Sequence, residues 1–303
     1  MRDDDDDTAR LLFSVVVPTK GRLEPLRKML ESLRGADPGP AEILVIDADE
    51  RSSARELVAE LQDGRLPLHY VHSEPSLTKQ RNVGIDRASG DVLVFLDDDV
   101  SLPSNLFAKL EGAYSDDDVV GATGWVVEPH AQRLGGPPSF LRRLLLPGSR
   151  RHPGRFTCYG YPHYIVLADG PCDVEFMPGC FMSARRAAAE EVRFDENLGA
   201  YALAEDEDFS YRLSQLGRVV YLPDVVVMHE KLGFRSFDSR NFGRLVVKNR
   251  AYLFRKNFPQ TPWARVQFGL LLAMLVAHRL LNREWRGALG VLEGTAALVR
   301  GRS

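Results

Sequence analysis

The sequence predicts an α/β fold, a mainly parallel sheet with flanking helices and a helical extension at the C-terminal end. Three observations carry this. Apolar runs of strand length alternate with helical patterns through residues 11–100, the rhythm of parallel strands joined by right-handed crossovers. Val92–Leu96 is apolar throughout, as a strand buried on both faces must be. From Lys231 onward the pattern turns helical and basic: 14 Lys/Arg face 3 Asp/Glu, so this segment carries +11 and the rest −14, giving the −3 of the whole chain.

The elements follow in order. Leu11–Val17 is the first strand and Pro18 ends it; Thr19–Arg22 is a turn. Leu23–Leu33 is helical, with Leu26, Met29, Leu30 and Leu33 spaced at three and four, and Gly35–Pro40 breaks it. Glu42–Ile46 is the second strand, ending in Asp47 and Asp49. Ser53–Leu61 is a helix, Leu68–Val71 a short strand, and Lys79–Ala88 a helix carrying Arg81 and Asn82. Gly90 ends that helix, and Val92–Leu96 delivers Asp97, Asp98 and Asp99. Further on, Asp208–Leu216 reads as helix, Val219–Leu222 and Val225–Met228 as two short strands with His229 after the second. Asn241–Phe254, Val266–Ala277 and Ala288–Val299 read as helices, the last two as a hairpin. No internal repeat is present.

Three adjacent carboxylates at the end of a buried strand are costly unless something positive neutralises them. Ligands of open α/β sheets bind at the carboxyl ends of the strands. The economical expectation is a divalent cation, Mn²⁺ or Mg²⁺, holding a phosphate-bearing ligand; the alternative is a solvated acidic turn. Asp47 and the first loop, with Lys20 and Arg22, should share that edge, which assembles a nucleotide pocket. Taken singly, Asp47 is equally a strand-end turn residue and Arg81 a surface helix charge.

Composition bounds the rest. At 44% hydrophobic and 27% charged, the chain suits a soluble globular protein with a sizeable core. Cys158, Cys172 and Cys180 show neither metal-ligand spacing nor a disulfide framework, as expected of a reducing cytoplasm. No signal-peptide pattern is visible, and residues 1–10, with the run Asp3–Asp7, are expected to be disordered. The basic C-terminal segment points to lipid headgroups or phosphates, not to nucleic acid.

Val15–Arg22, Val45–Asp47, Lys79–Gly84 and Leu96–Asp99 together resemble the nucleotide-sugar half of family 2 glycosyltransferases. The resemblance continues through Met177–Arg185, Phe194–Leu198 and Ala204–Arg212, and covers roughly residues 12–257. It implies a Rossmann-like GT-A catalytic domain over 11–257, with a nucleotide-sugar half (11–128), an acceptor half (129–257) and a helical extension (258–303). It also implies a non-processive, inverting transferase taking one sugar from a nucleoside-diphosphate donor to a sugar or lipid-linked acceptor. The Gln/Arg-x-x-Arg-Trp signature of processive relatives is absent.

By position, the resemblance makes Asp206 the catalytic base, with Glu205 beside it. It places Pro18, Thr19, Arg22, Asp47, Lys79, Arg81, Asp97, Asp98 and Gly179 around the donor. Asp99 and Asp97 are the metal ligands, and His229 approaches the metal in some relatives. A carboxylate base is chemically apt, because a sugar hydroxyl attacks only as its proton is removed. Each role has a plainer alternative: a helix cap for Asp206, a turn for Pro178-Gly179, a structural histidine for His229. A nucleotidylyltransferase would need a Gly-rich loop where Pro18–Arg22 stands; a non-catalytic sugar-nucleotide scaffold would not need both the Asp triplet and Asp206.

Two regions are open. Pro129–Gly170 holds Arg133, Arg142, Arg143, Arg150, Arg151 and Arg155, either an acceptor-side loop or a solvated basic one. Val266–Ala277 is shorter than the ~20 residues a spanning helix needs. With Trp263, Trp285, Arg279, Arg283 and Arg286 near, it reads as a helix lying in a membrane interface on the cytoplasmic face, or as one packed on the catalytic domain.

Overall fold

The computed structural model describes residues 10–129, 153–165, 168–199, 202–230 and 238–301. The first half runs β1 (Phe13–Thr19), α1 (Leu23–Arg34), β2 (Glu42–Asp47), α2 (Ala54–Leu61), β3 (Leu68–His72), α3 (Leu77–Arg87) and β4 (Val92–Leu96). Their strands are parallel, in the order β3-β2-β1-β4, with Val15 beside both Ile43 and Val94. Every residue of β1 and β4 is buried, because helices cover both faces. Alternation divides the core: Val15 and Val17 pack with Leu26, Met29 and Leu30 of α1, while Val16 packs with Ile85 of α3 and with Leu93 and Phe95.

The second half supplies β5 (Val100–Ser101), α4 (Leu106–Tyr114), β6 (Val119–Val127), β7 (Cys172–Val174), β8 (Phe181–Arg185), α5 (Arg186–Val192), α6 (Glu205–Leu213) and β9 (Arg218–His229). They extend the sheet in the order β4-β8-β6-β9-β5, with β7 also on β9. β8 is antiparallel to both β4 and β6, whereas β6 and β9 pair in parallel, so parallel pairing resumes beyond β8. This reversal matters: with Leu96 opposite Phe181, the start of β8 lies at the same edge as the end of β4.

α7 (Ser239–Asn257), α8 (Pro262–Leu281) and α9 (Trp285–Val299) close the chain. Thr261 caps α8, its hydroxyl accepting from the Ala264 N–H, with Pro262 pre-set for the first turn. The three helices share a core of Val247, Ala251, Phe254, Phe268, Leu271, Leu272 and Val291. Tyr159, Phe156 and Tyr211 join that core from earlier in the chain. α9 lies backbone to backbone on α7: a Cβ on Gly290 would stand 2.0 Å from the Arg240 carbonyl oxygen.

Three expectations change. The two strands Val219–Leu222 and Val225–Met228 are one strand, β9. Its register against β6 jumps from Leu222–Gly124 to Val226–Trp125, so Pro223, Asp224 and Val225 are absorbed as a bulge. The apolar run Val266–Ala277 is the middle of a 20-residue helix, since Trp263, Ala264 and Leu280 continue it on either side. Its length therefore does not preclude spanning; its packing is what bears on that question. Helix α4, strands β6 and β8 and helix α5 had not been anticipated. Of the Arg-rich stretch, Arg155 is described and pairs with Glu175 at 3.4 Å; Arg133, Arg142, Arg143, Arg150 and Arg151 lie outside the described residues, as do residues 1–9.

Candidate active site

The acidic end of β4 is built into its surroundings one carboxylate at a time. Asp98 turns back toward β1, where the Thr19 hydroxyl donates to it at 2.7 Å and Arg22 at 2.7 Å. The other arm of Arg22 donates to Asp99 at 2.6 Å. Asp97 points the opposite way and accepts from Arg81 at 3.3 Å. His229, at the end of β9, sets Nε2 3.1 Å from Asp99 and 4.0 Å from Asp97, with Nδ1 3.5 Å from Glu128. Pairing of Val100 with His229 brings this ring beside the triplet.

Electrostatics separates the three acids. Burial pushes Asp98 up to about 7 despite Arg22, and raises Asp97 as well. Burial opposes the charge of Asp99 too, but hydrogen bonds from His229 and Arg22 outweigh it and hold Asp99 below the usual carboxylate range. His229 is raised: burial works against its charge, and Asp99 and Asp97 more than compensate.

Asp97, Asp99 and His229 each present a ligand atom, and these atoms lie within 4.8 Å of one another. Asp99 Oδ1, which faces His229 Nε2 at 3.1 Å, belongs to this set. Two carboxylates and an imidazole suit a divalent cation such as Mn²⁺. The residues present therefore fit a metal, with Asp98 held aside by Thr19 and Arg22.

Across the cleft stands the first turn of α6. The chain enters it through two left-handed alanines, Ala202 (φ 48°) and Ala204 (φ 69°), a conformation that costs roughly 1–2 kcal/mol per L-residue. Four acids follow. Glu205 accepts from Arg81 at 2.9 Å, and Glu207 takes both arms of Arg250. Asp208 is held by Arg212 at 2.6 Å, Lys256 at 3.0 Å and Asn257 at 2.8 Å. Asp206 alone has no ion pair among the described residues; it accepts the backbone N–H groups of Gly179 at 3.0 Å and Glu207 at 2.9 Å. It is also the one acid of the four that is not buried. Burial raises Glu205 to about 8 and raises Asp206 too, beside one another and against the pull of Arg81.

Arg81 ties the halves together. It is 1% exposed, and it donates to Glu205, to Asp97 and to the Gly179 carbonyl at 2.7 Å, with its guanidinium over the Phe194 ring at 5.1 Å. A cleft of ≈ 700 Å³ opens between these groups. Arg81, Asp97, Gly179, Glu205, Asp206 and His229 line it, with Trp125, Tyr164 and Phe176 as apolar walls.

The structure thus gathers most of the sequence-predicted residues and leaves two apart. Pro18 and Thr19 close β1, all buried, beside the triplet. Asp47 is fully buried and accepts the N–H groups of Asp49 and Ala54, the first at 2.9 Å, so it ties the β2 end to α2. Lys79 pairs with Glu74 at the surface and does not line the cleft. Sequence reasoning missed Trp125 and Glu128, because Gly121 and Gly124 interrupt the pattern of β6. It also missed the Glu207–Arg250 pair, which joins positions 43 residues apart.

Comparison with known proteins places this geometry. Residues 14–193 match the model of Glycosyl transferase family 2. The chain is 32% identical over 101 residues to the GalNAc(5)-diNAcBac-PP-undecaprenol beta-1,3-glucosyltransferase of Campylobacter jejuni, covering 32% of this chain and 33% of that one. It is 26% identical over 221 residues to the amylovoran biosynthesis glycosyltransferase AmsB of Erwinia amylovora, covering 68% and 64%. The matches thus span less than two-thirds of these curated relatives' own lengths. Among solved structures, the mannosyltransferase PcManGT from Pyrobaculum calidifontis, in complex with GDP-Man and Mn²⁺, aligns over 98% of this chain and 89% of its own. The TM-score is 0.59 at 18% identity. S. aureus TarS 1-349 in complex with UDP-GlcNAc aligns over 96% and 93%, with a TM-score of 0.54 at 15% identity.

Proposed function

The chain belongs to Glycosyl transferase family 2 and has its GT-A fold, and on that premise we propose that it transfers a single sugar from a nucleoside-diphosphate sugar to an acceptor hydroxyl with inversion. The observation that supports this most is Asp206. Of four consecutive acids it alone lacks a cationic partner among the described residues and faces the cleft, which is what a proton acceptor requires.

The chain's residues divide the work. Gly179 and Glu207 donate backbone hydrogen bonds that orient the Asp206 carboxylate while leaving lone pairs free for an incoming hydroxyl. The acceptor oxygen attacks the anomeric carbon from the face opposite the diphosphate. As the new C–O bond forms, the bond to the phosphate oxygen breaks, the hydroxyl proton passes to Asp206, and the nucleoside diphosphate departs. Arg22 supplies fixed positive charge on the donor side, and Arg81 holds Asp97 and Glu205 in place. A divalent cation held by Asp97, Asp99 and His229 would neutralise charge developing on the leaving diphosphate. Trp125 and Tyr164 are apolar walls against which a sugar or lipid-linked acceptor can lie. The Campylobacter relative, named for an undecaprenol-linked acceptor, favours a membrane-borne acceptor here as well, met on the cytoplasmic side.

Asp206→Asn tests the assignment. Release of nucleoside diphosphate from UDP- and GDP-sugars, with and without candidate acceptors, should fall by about 10²–10⁴-fold. Donor affinity measured by calorimetry should be unchanged. Loss of donor binding in step with turnover would move the base elsewhere.

A further inference from the structure

α8 and α9 are apolar on two faces, and only one is used. Phe268, Leu271 and Leu272 of α8 and Val291 of α9 are buried against α7. On the opposite side of α8, Trp263, Val266, Leu270 and Leu281 are 65%, 55%, 50% and 67% exposed. With Ala273 and Ala277 they fall at 263, 266, 270, 273, 277 and 281, a single stripe without one polar side chain. In α9, Trp285, Leu289 and Leu292, spaced at four and three, are 67%, 43% and 52% exposed, and Val299, two turns further on, is 82% exposed. A helix facing water places charged or polar residues at such positions, and among the described residues neither stripe has a partner.

Charge identifies the partner. Residues 258–303 hold six Arg and two Glu, a net +4, and α8 has no acid at all. Both acids are occupied within the fold, Glu284 by Arg279 and Glu293 by Arg240 and Arg244. Arg265, Arg283 and Arg300 stand exposed beside the stripes. Trp263 opens α8 and Trp285 opens α9, placements that suit aromatic side chains at a headgroup boundary.

We propose that this double stripe docks onto an anionic lipid bilayer, with α8 and α9 lying in its plane and their apolar side chains sunk to the acyl boundary. By length and composition α8 could cross a membrane. Crossing would strip Phe268, Leu271 and Leu272 from the core they share with α7, whereas lying flat keeps that core and covers the exposed face. A second copy of the chain would bring the same arginines against one another. The proposal adds a surface to the membrane-borne-acceptor reading above; its test uses no turnover, so either can fail alone.

The full chain should pellet with vesicles of phosphatidylcholine and phosphatidylglycerol at low salt, and far less at high salt or with phosphatidylcholine alone. Its Trp emission should shift to the blue on binding. Trp263→Ala/Trp285→Ala and Leu270→Asp/Leu292→Asp alter only exposed positions. Each should weaken partitioning about tenfold or more while leaving the thermal midpoint in place. Failure of the full chain to pellet at low salt overturns the proposal, as does equal pelleting of the Leu270→Asp/Leu292→Asp variant. A vesicle-independent dimer by light scattering, dissociated by the same variants, would assign the stripes to a second copy instead.

Discussion

Arg81→Met removes a side chain that touches both walls of the cleft. Methionine retains much of the aliphatic bulk, so the loss is chiefly of hydrogen bonds: to Glu205 at 2.9 Å, to Gly179 O at 2.7 Å and to Asp97 at 3.3 Å. Stripping one partner from a buried ion pair costs about 3–5 kcal/mol when the other charge is left stranded. Here Glu205 has an escape. Already pushed up to about 8, it can stay protonated at pH 7 and avoid the full desolvation cost. The expected loss is therefore at the lower end, about 3 kcal/mol, out of a total of roughly 5–15 kcal/mol. Urea unfolding at pH 7, monitored by Trp emission, measures it. Arg81→Lys should recover only part, since one ammonium cannot reproduce a fork that serves three acceptors. A loss under about 1 kcal/mol, or complete recovery with Lys, would show that the network does not hold the two walls together.

Other outcomes follow from the same geometry. Glu205 binds its proton more tightly folded, at about 8, than unfolded, at 4.5, so it makes stability fall as pH rises through that window; Glu205→Gln should flatten the decline in metal-free urea unfolding, and parallel curves would refute the shift. Asp99→Ala removes one of three clustered ligand atoms, so Mn²⁺ affinity by calorimetry should drop at least tenfold to a hundredfold and donor affinity with it; unchanged turnover in excess chelator would dismiss the metal. Gly290→Ala forces a methyl to within 2.0 Å of the Arg240 carbonyl oxygen, which should separate α9 from α7 at about 1–3 kcal/mol, read as a lowered thermal midpoint.

How much of this was legible in the sequence depended on range. The alternation from β1 to β4 and the acids ending β4 are local patterns, and the observed elements follow them within a few residues. β6 and β8 were hidden for physical reasons. Gly121, Gly124 and Thr123 dilute the apolar period of β6, and Ser183 sits inside β8, buried only because Tyr114 and the Ala122 carbonyl satisfy its hydroxyl. The two short strands read from the sequence are one, because a bulge accommodates the residues between them. At the site, Asp97, Asp99 and His229 could be singled out in advance and the fold brings them together, whereas the partners of Asp47 and Lys79, the N–H groups of Asp49 and Ala54 and the carboxylate of Glu74, became visible only in the fold. For α8 and α9, the sequence left membrane and packing as alternatives; the fold packs one apolar face of each helix and leaves apolar side chains exposed on another.

The first turn of α6 has a consequence for relatives of this chain. A helix advances about 100° per residue, so its four consecutive carboxylates are dealt to four compass points. Arg81 of α3 meets one, Arg250 of α7 another, and Lys256 with Asn257 a third. Asp206 is what remains after those cations have claimed the rest. Angular phase, fixed at the left-handed Ala204, therefore decides which carboxylate is left without a cation among the described residues, and counting along an acidic motif does not. A single-residue insertion ahead of Glu205 would preserve the string Glu-Asp-Glu-Asp yet aim another carboxylate at the cleft, so relatives are best aligned by the cations surrounding this turn.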